Sequence, residues 1–266
     1  MTAAAASPAL ALPSDNAGAL TTLRRRAGQR TGALPSYGLD ARDVYYPDWF
    51  SGLWRVESKA IDVSAPLGPG LFGGNASLAA AVKELDAPPV VYEARWVRAG
   101  AAPYPLVADR PFNIASLAAA TMGGADAILG LPGSNFDPNR LIFKLAPPDA
   151  GGQVYRAELG ALARRFEPAS GELRDDKDRV IFDAGELTRQ SITLPGQEFQ
   201  APPSVKDIET INCFTKLKDG RISAVQRTAT WLVGTEGRAA IRAQAADGRA
   251  VDVRTYRVEY TRLGDA

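Results

Sequence analysis

From Trp54 onward the chain alternates apolar and polar residues, and this two-residue period restricts what it can fold into. Trp54, Val56, Ser58 and Ala60 fall on one face of an extended segment, Arg55, Glu57, Lys59 and Ile61 on the other. Successive side chains of a strand point to opposite faces, so the pattern describes a strand buried on one side. Tyr92, Ala94 and Trp96 repeat it against Glu93 and Arg95. Runs at 141–145, 153–159 and 179–183, β-branched or aromatic and bounded by Pro, Gly and Asp, add further strands. In the C-terminal third, 209–217 and 221–232 flank Lys218-Asp219-Gly220, whose Asp-Gly pair tolerates the positive φ of a tight hairpin. Asp247-Gly248 leads into 251–262, where the apolar set moves from Val251 and Val253 to Tyr256, Val258 and Tyr260. A phase change inside one strand predicts a β-bulge near Arg254 or Thr255. The expected fold is mainly β, a single antiparallel barrel.

Two short helices interrupt the pattern. Residues 77–85 are rich in Ala and Leu, and Asn113 is the expected cap of a helix over 114–122 that Gly123-Gly124 would end. Residues 1–43, rich in Ala, Pro, Gly and Ser, read as a disordered or processed leader; residues 44–264 read as the barrel domain. The leader carries Arg24-Arg25-Arg26 and Arg30, and its Ala9-Leu10-Ala11 suits the end of a targeting peptide. No apolar run approaches the roughly 20 residues that span a bilayer, so no membrane span is expected.

Composition narrows the chemistry. The 31 basic and 30 acidic residues nearly cancel, which leaves no net field to draw in a nucleic-acid backbone. With no histidine, Ser-His-Asp and Cys-His catalysis and His-ligated metals are excluded. The single cysteine, Cys213, lies in a strand-like run and reads as a buried, inert thiol; no metal site or cofactor is expected. Gly68-Pro69-Gly70-Leu71-Phe72-Gly73 matches a dinucleotide fingerprint in form only. The strand before it alternates, whereas a central parallel strand is continuously apolar, and no βαβ rhythm follows. Asp175-Asp176-Lys177-Asp178 lacks the ligand spacing of a calcium loop and reads as a solvated turn.

The segment Tyr46-Pro47-Asp48-Trp49-Phe50-Ser51-Gly52-Leu53-Trp54 resembles the opening of a lipocalin-like (calycin-like) family of cyanobacterial and plastid thylakoid-associated proteins. Ala108-Asp109-Arg110-Pro111-Phe112-Asn113, Asp137-Pro138-Asn139-Arg140, Glu209-Thr210 with Phe214, Arg227-Thr228-Ala229 with Trp231-Leu232, and Tyr256-Arg257-Val258-Glu259-Tyr260 continue the resemblance in order. It implies a lipocalin-like barrel and a thylakoid-lumen setting; without a targeting leader the setting would be stromal or cytoplasmic. By the same resemblance Trp54 closes one end of the barrel against an arginine, with Arg227, Arg254 and Arg257 as candidates.

A non-enzymatic protein binding a small apolar ligand (a pigment, tetrapyrrole or lipid) is the first expectation, with Trp49, Trp54, Trp96, Arg110 and Asn113 as its contacts. A lumenal accessory or assembly factor docking on a photosynthetic membrane complex is the second, through the arginine-rich leader and the loops 66–74 and 123–139. An enzyme using acids such as Asp109, Glu209 or Glu259 is the third.

Overall fold

The computed structural model describes residues 21–30, 32–35, 43–100, 105–132, 137–148, 151–167, 173–175, 177–196, 203–234 and 237–264. In chain order the elements are α1 (Thr22–Ala27), β1 (Gly52–Ser64), α2 (Pro69–Phe72), α3 (Asn75–Lys83), β2 (Val90–Arg98), β3 (Leu106–Ala108), α4 (Arg110–Thr121), β4 (Ile128–Leu129), β5 (Arg140–Leu145), β6 (Tyr155–Glu167), β7 (Leu173–Arg174), β8 (Val180–Thr193), β9 (Ser204–Lys216), β10 (Ile222–Val233), α5 (Gly237–Ala246) and β11 (Asp252–Gly264). The strands form one curled antiparallel sheet in the order β3-β2-β1-β11-β10-β9-β8-β6-β5-β4, with β7 paired to β8. The fold is thus mainly β, and the sheet is a half-barrel: among the described residues its end strands, β3 and β4, do not pair with each other. Among the described residues every strand pairing is antiparallel, so the Gly68–Gly73 match has no parallel strand there to serve; it forms the loop and the single turn of α2. No helix is long and apolar enough to cross a membrane among the described residues.

The concave face holds the main core, where Trp54 and Val56 of β1, Ala94 and Trp96 of β2, Phe182 and Ala184 of β8, Phe214 of β9 and Val258 and Tyr260 of β11 meet Phe50. The expected alternation is present. Its rings pack edge to face, Phe50 against Phe214 at 4.8 Å and Tyr46 against Phe50 at 5.0 Å between centroids, as aromatic quadrupoles prefer.

The phase change in the last strand has a different cause from the bulge expected near Arg254 or Thr255. The β10–β11 register runs unbroken from Ile222↔Tyr260 to Thr230↔Asp252. The two ends of these strands bury opposite faces. Val258 and Tyr260 face the aromatic core, whereas Val253, with Ala229, Trp231 and Ala250, forms a cluster on the reverse face, where α5 packs on β10. The extra residue is Ile61 of β1, where the β1–β11 register slips between Ala60↔Tyr256 and Asp62↔Thr255. The Lys218-Asp219-Gly220 hairpin joins β9 and β10 as expected, with Gly220 at φ 85°. Asp247-Gly248 instead ends α5, both residues having positive φ.

The convex face of β8 and β9 carries α1. Leu23 packs on Ile211 and Cys213, Arg24 lies 3.1 Å from the buried carboxylate of Asp183, and Arg26 meets Glu209 at 2.5 Å. Residues 21–27, expected to belong to a loose leader, are therefore clamped to the sheet, and two of their arginines are engaged within the chain. Residues 1–20, 31 and 36–42 of that leader, which include Ala9-Leu10-Ala11, lie outside the described residues. Asp175 accepts from the backbone N–H of Lys177 and Arg179 and pairs with the Arg179 side chain, which ties it to the start of β8.

Candidate functional site

Helix α4 lies against the part of the β2 edge that β3, paired only with Trp96–Arg98, leaves open. Its N-terminus is capped by Asp109, whose carboxylate accepts from the Phe112 N–H, and Pro111 sits at the second helical position, where its missing donor costs nothing. Asn113, the expected cap, does something else. Its Oδ1 accepts from the Arg95 N–H at 2.7 Å and its Nδ2 donates to the Arg95 carbonyl at 3.2 Å, while the Glu93 N–H donates to Ser116 Oγ at 2.8 Å. Helical side chains thus meet the backbone groups that a further strand would pair. The Arg95 guanidinium adds a bond to Asp109 and lies 4.4 Å above the Phe112 ring.

Between α4 and the concave face of β6, β8 and β9 lies a cavity of about 260 Å³. Its apolar wall is Val44, Ile114, Leu141, Leu159, Ala161 and Ala184; Thr188, Thr210 and Asn212 supply the polar side of the sheet. Tyr46 and Arg110 bound it next to the aromatic core. The Arg110 guanidinium meets both oxygens of Asp43, at 2.9 and 2.5 Å, and lies 3.4 Å from Glu186. Glu186 accepts from Arg164 Nε at 2.6 Å, and Arg164 donates to Asn139 Oδ1 at 2.7 Å. Burial pushes the Tyr46 hydroxyl well above its usual range, beyond what nearby Arg110 offsets, so it stays protonated.

A bulge explains how Arg164 reaches this network. Leu162 is the extra residue where the β6–β8 register slips, and it moves β6 from pairing Ala161 with Thr188 to pairing Arg164 with Glu186. The inward set of β6 therefore changes from odd to even numbers at Leu162.

Of the expected contacts, Arg110 and Asn113 line the cavity, although the Asn113 carboxamide is committed to β2. Trp49, Trp54 and Trp96 do not line it. Trp54 and Trp96 are buried in the aromatic core, and Trp49 stacks on Phe50 at 4.3 Å. Trp54 Nε1 donates to the Phe50 carbonyl at 2.8 Å, and the cation over its ring is Arg262, 5.8 Å from the centroid and paired across strands with it. The three expected arginines occupy other positions. Arg227 is buried against Glu209 at 3.0 Å, Arg254 pairs with Asp252 and Glu84 and lies over Phe72, and Arg257 sits opposite Lys59.

The acids that an enzyme might use are bound elsewhere: Asp109 caps α4, Glu209 is held between Arg26 and Arg227 on the convex face, and Glu259 accepts from Ser223 Oγ at 2.8 Å. Cys213 is buried, and desolvation with the neighbouring Asp183 pushes its thiol well above the ordinary range, which keeps it un-ionised and unreactive. Asp43, Tyr46, Arg164 and Glu186 escaped sequence reasoning as site residues; the Leu162 bulge and the return of 43–46 across the sheet left no periodic signal.

Fold and site together define an antiparallel half-barrel with a helix along one edge and a half-open, mainly apolar recess beside that helix. The chain belongs to a family described as a domain of unknown function, DUF6816, whose sequence profile matches residues 38–264. No curated protein and no solved structure matches it.

Proposed function

We propose that this is a binding protein that holds one small, mainly apolar molecule in the cavity between α4 and strands β6, β8 and β9. The cavity itself carries the reading. Small-molecule sites are concave and mainly apolar with a few placed polar groups, and a half-open recess of about 260 Å³ with that lining adjoins the aromatic core here. Sites for small molecules commonly span about 300–1,000 Å³. At about 260 Å³ this one falls just below that range and suits a single alkyl chain or a small ring system; a whole tetrapyrrole or carotenoid would overfill it. The sequence resemblance supports a photosynthetic setting, the thylakoid lumen, for this activity.

The test uses 1-aminoanthracene, a neutral fluorescent probe of suitable size. Wild-type protein should bind one equivalent, and Ile114→Trp, which fills the recess from α4, should weaken binding by about tenfold or more, equivalent to about 1.4 kcal/mol. Circular dichroism checks that the variant folds. If the wild type leaves the probe dark and no small molecule co-purifies by native mass spectrometry, the reading fails.

A further inference from the structure

We propose that this cavity selects a neutral amphiphile whose polar end carries an O–H or N–H that donates to Asn212, with a short apolar body. The proposal rests on the binding reading above and specifies its ligand class. Asn212 lies on β9 and lines the cavity, and its Oδ1 is buried with no hydrogen-bond partner. An unpaired buried acceptor costs about 1–3 kcal/mol, which a ligand donor would recover. The neighbouring Thr188 hydroxyl donates to the Ile208 carbonyl at 3.3 Å and so already has a partner, whereas Asn212 Oδ1 has none.

The charged wall argues against an anion. Arg110 is matched by Asp43 and Glu186, and Arg164 by Glu186 and Asn139. Arg140, which also lines the cavity, pairs with Glu158 at 2.7 Å, so each lining guanidinium group has a carboxylate partner, and Asp137 adds a further negative charge to the wall. A carboxylate or phosphate head would be desolvated beside fixed negative charges without gaining an unmatched cation. A neutral head avoids that cost. Ile114, Leu141 and Leu159 supply apolar surface to the recess. Its volume of about 260 Å³ limits the body to a short chain.

Three probes separate the possibilities by displacement of 1-aminoanthracene: 1-octanol, its isomer heptyl methyl ether, whose oxygen only accepts, and octanoate. Wild type should bind 1-octanol at least about tenfold more tightly than either of the others. Asn212→Leu should bring the alcohol and the ether within about twofold while 1-aminoanthracene still binds; Asn212→Ala, which adds no bulk, serves if the leucine variant does not fold. Octanoate or ether binding as tightly as 1-octanol overturns the proposal, as does a preference that survives both substitutions. In those outcomes 1-aminoanthracene still binds and the binding reading stands, whereas loss of all probe binding to wild type overturns both.

Discussion

Asp183 lies fully buried on β8 beneath α1, opposite Cys213 in the β8–β9 register, with Arg24 at 3.1 Å and the Thr21 hydroxyl donating to its carboxylate. Burial raises its pKa, and the opposing pull of Arg24 and Thr21 does not fully offset it. A carboxyl whose folded pKa exceeds its unfolded value binds its proton more tightly in the native state. Its contribution therefore favours folding as pH falls through the folded value and is complete below the unfolded pKa of about 4. Asp183→Asn removes this titration. Urea unfolding of both proteins should show the wild type gaining stability relative to the variant between pH 7.5 and 4.5; a relative loss would mean that Arg24 dominates and the carboxyl is held ionised. Trp54 teaches a related lesson at the same scale. Its burial and its strand were legible from alternation, but its cation was not, because the two-residue period gives a face and the partner depends on register. Arg262, directly across the β1–β11 pair, takes the position expected of Arg227, Arg254 or Arg257.

Helix α4 shows where element-level reading succeeded and where it stopped. Its existence followed from the apolar run after Asn113 and the Gly123-Gly124 stop, yet its start lies earlier, because Asp109 followed by Arg110-Pro111 is the stronger cap signal. Helix α5 was missed because its Ala-rich residues lie between two strand-like runs, although its helical period is stronger than that of α3 or α4. The strands themselves were legible, since one-sided burial imposes a pattern. The cavity was not, because it arises from α4, the Leu162 bulge and residues 43–46 meeting in space. Asn113 is the residue that binds α4 to the sheet, and Asn113→Ala should leave the Arg95 N–H and C=O without their side-chain partners. The expected loss is about 1–3 kcal/mol of stability, with hydrogen exchange at the Arg95 amide accelerating more than at Glu93, whose bond goes to Ser116. Unchanged protection at Arg95 would show that the helix is held by Phe112 and the apolar contacts alone.

At the scale of the whole molecule the sheet separates two kinds of interior. The concave side holds the aromatic core and the cavity; the convex side holds ionic contacts under α1, where Glu209, fully buried, is shared by Arg26 and Arg227. Such charges add little stability as a set against an apolar replacement, but removing one partner leaves a buried charge uncompensated and costs about 3–5 kcal/mol. The arginines of α1 are thus part of the fold, although their segment has the composition of a loose leader. A chain beginning after residue 30 loses Arg24, Arg26 and the Leu23 cover over Ile211 and Cys213. It should unfold at a lower urea concentration than the full chain, and Cys213, freed from burial, should react with Ellman's reagent under native conditions where the full chain does not. The cavity lies on the opposite face of β8 and β9, lined by Thr188, Thr210 and Asn212, so affinity for 1-aminoanthracene should change by less than about threefold. An unaltered unfolding midpoint with a protected Cys213 would show that α1 only rests on the sheet, and a collapse of probe binding would show that the two faces are coupled through β8 and β9.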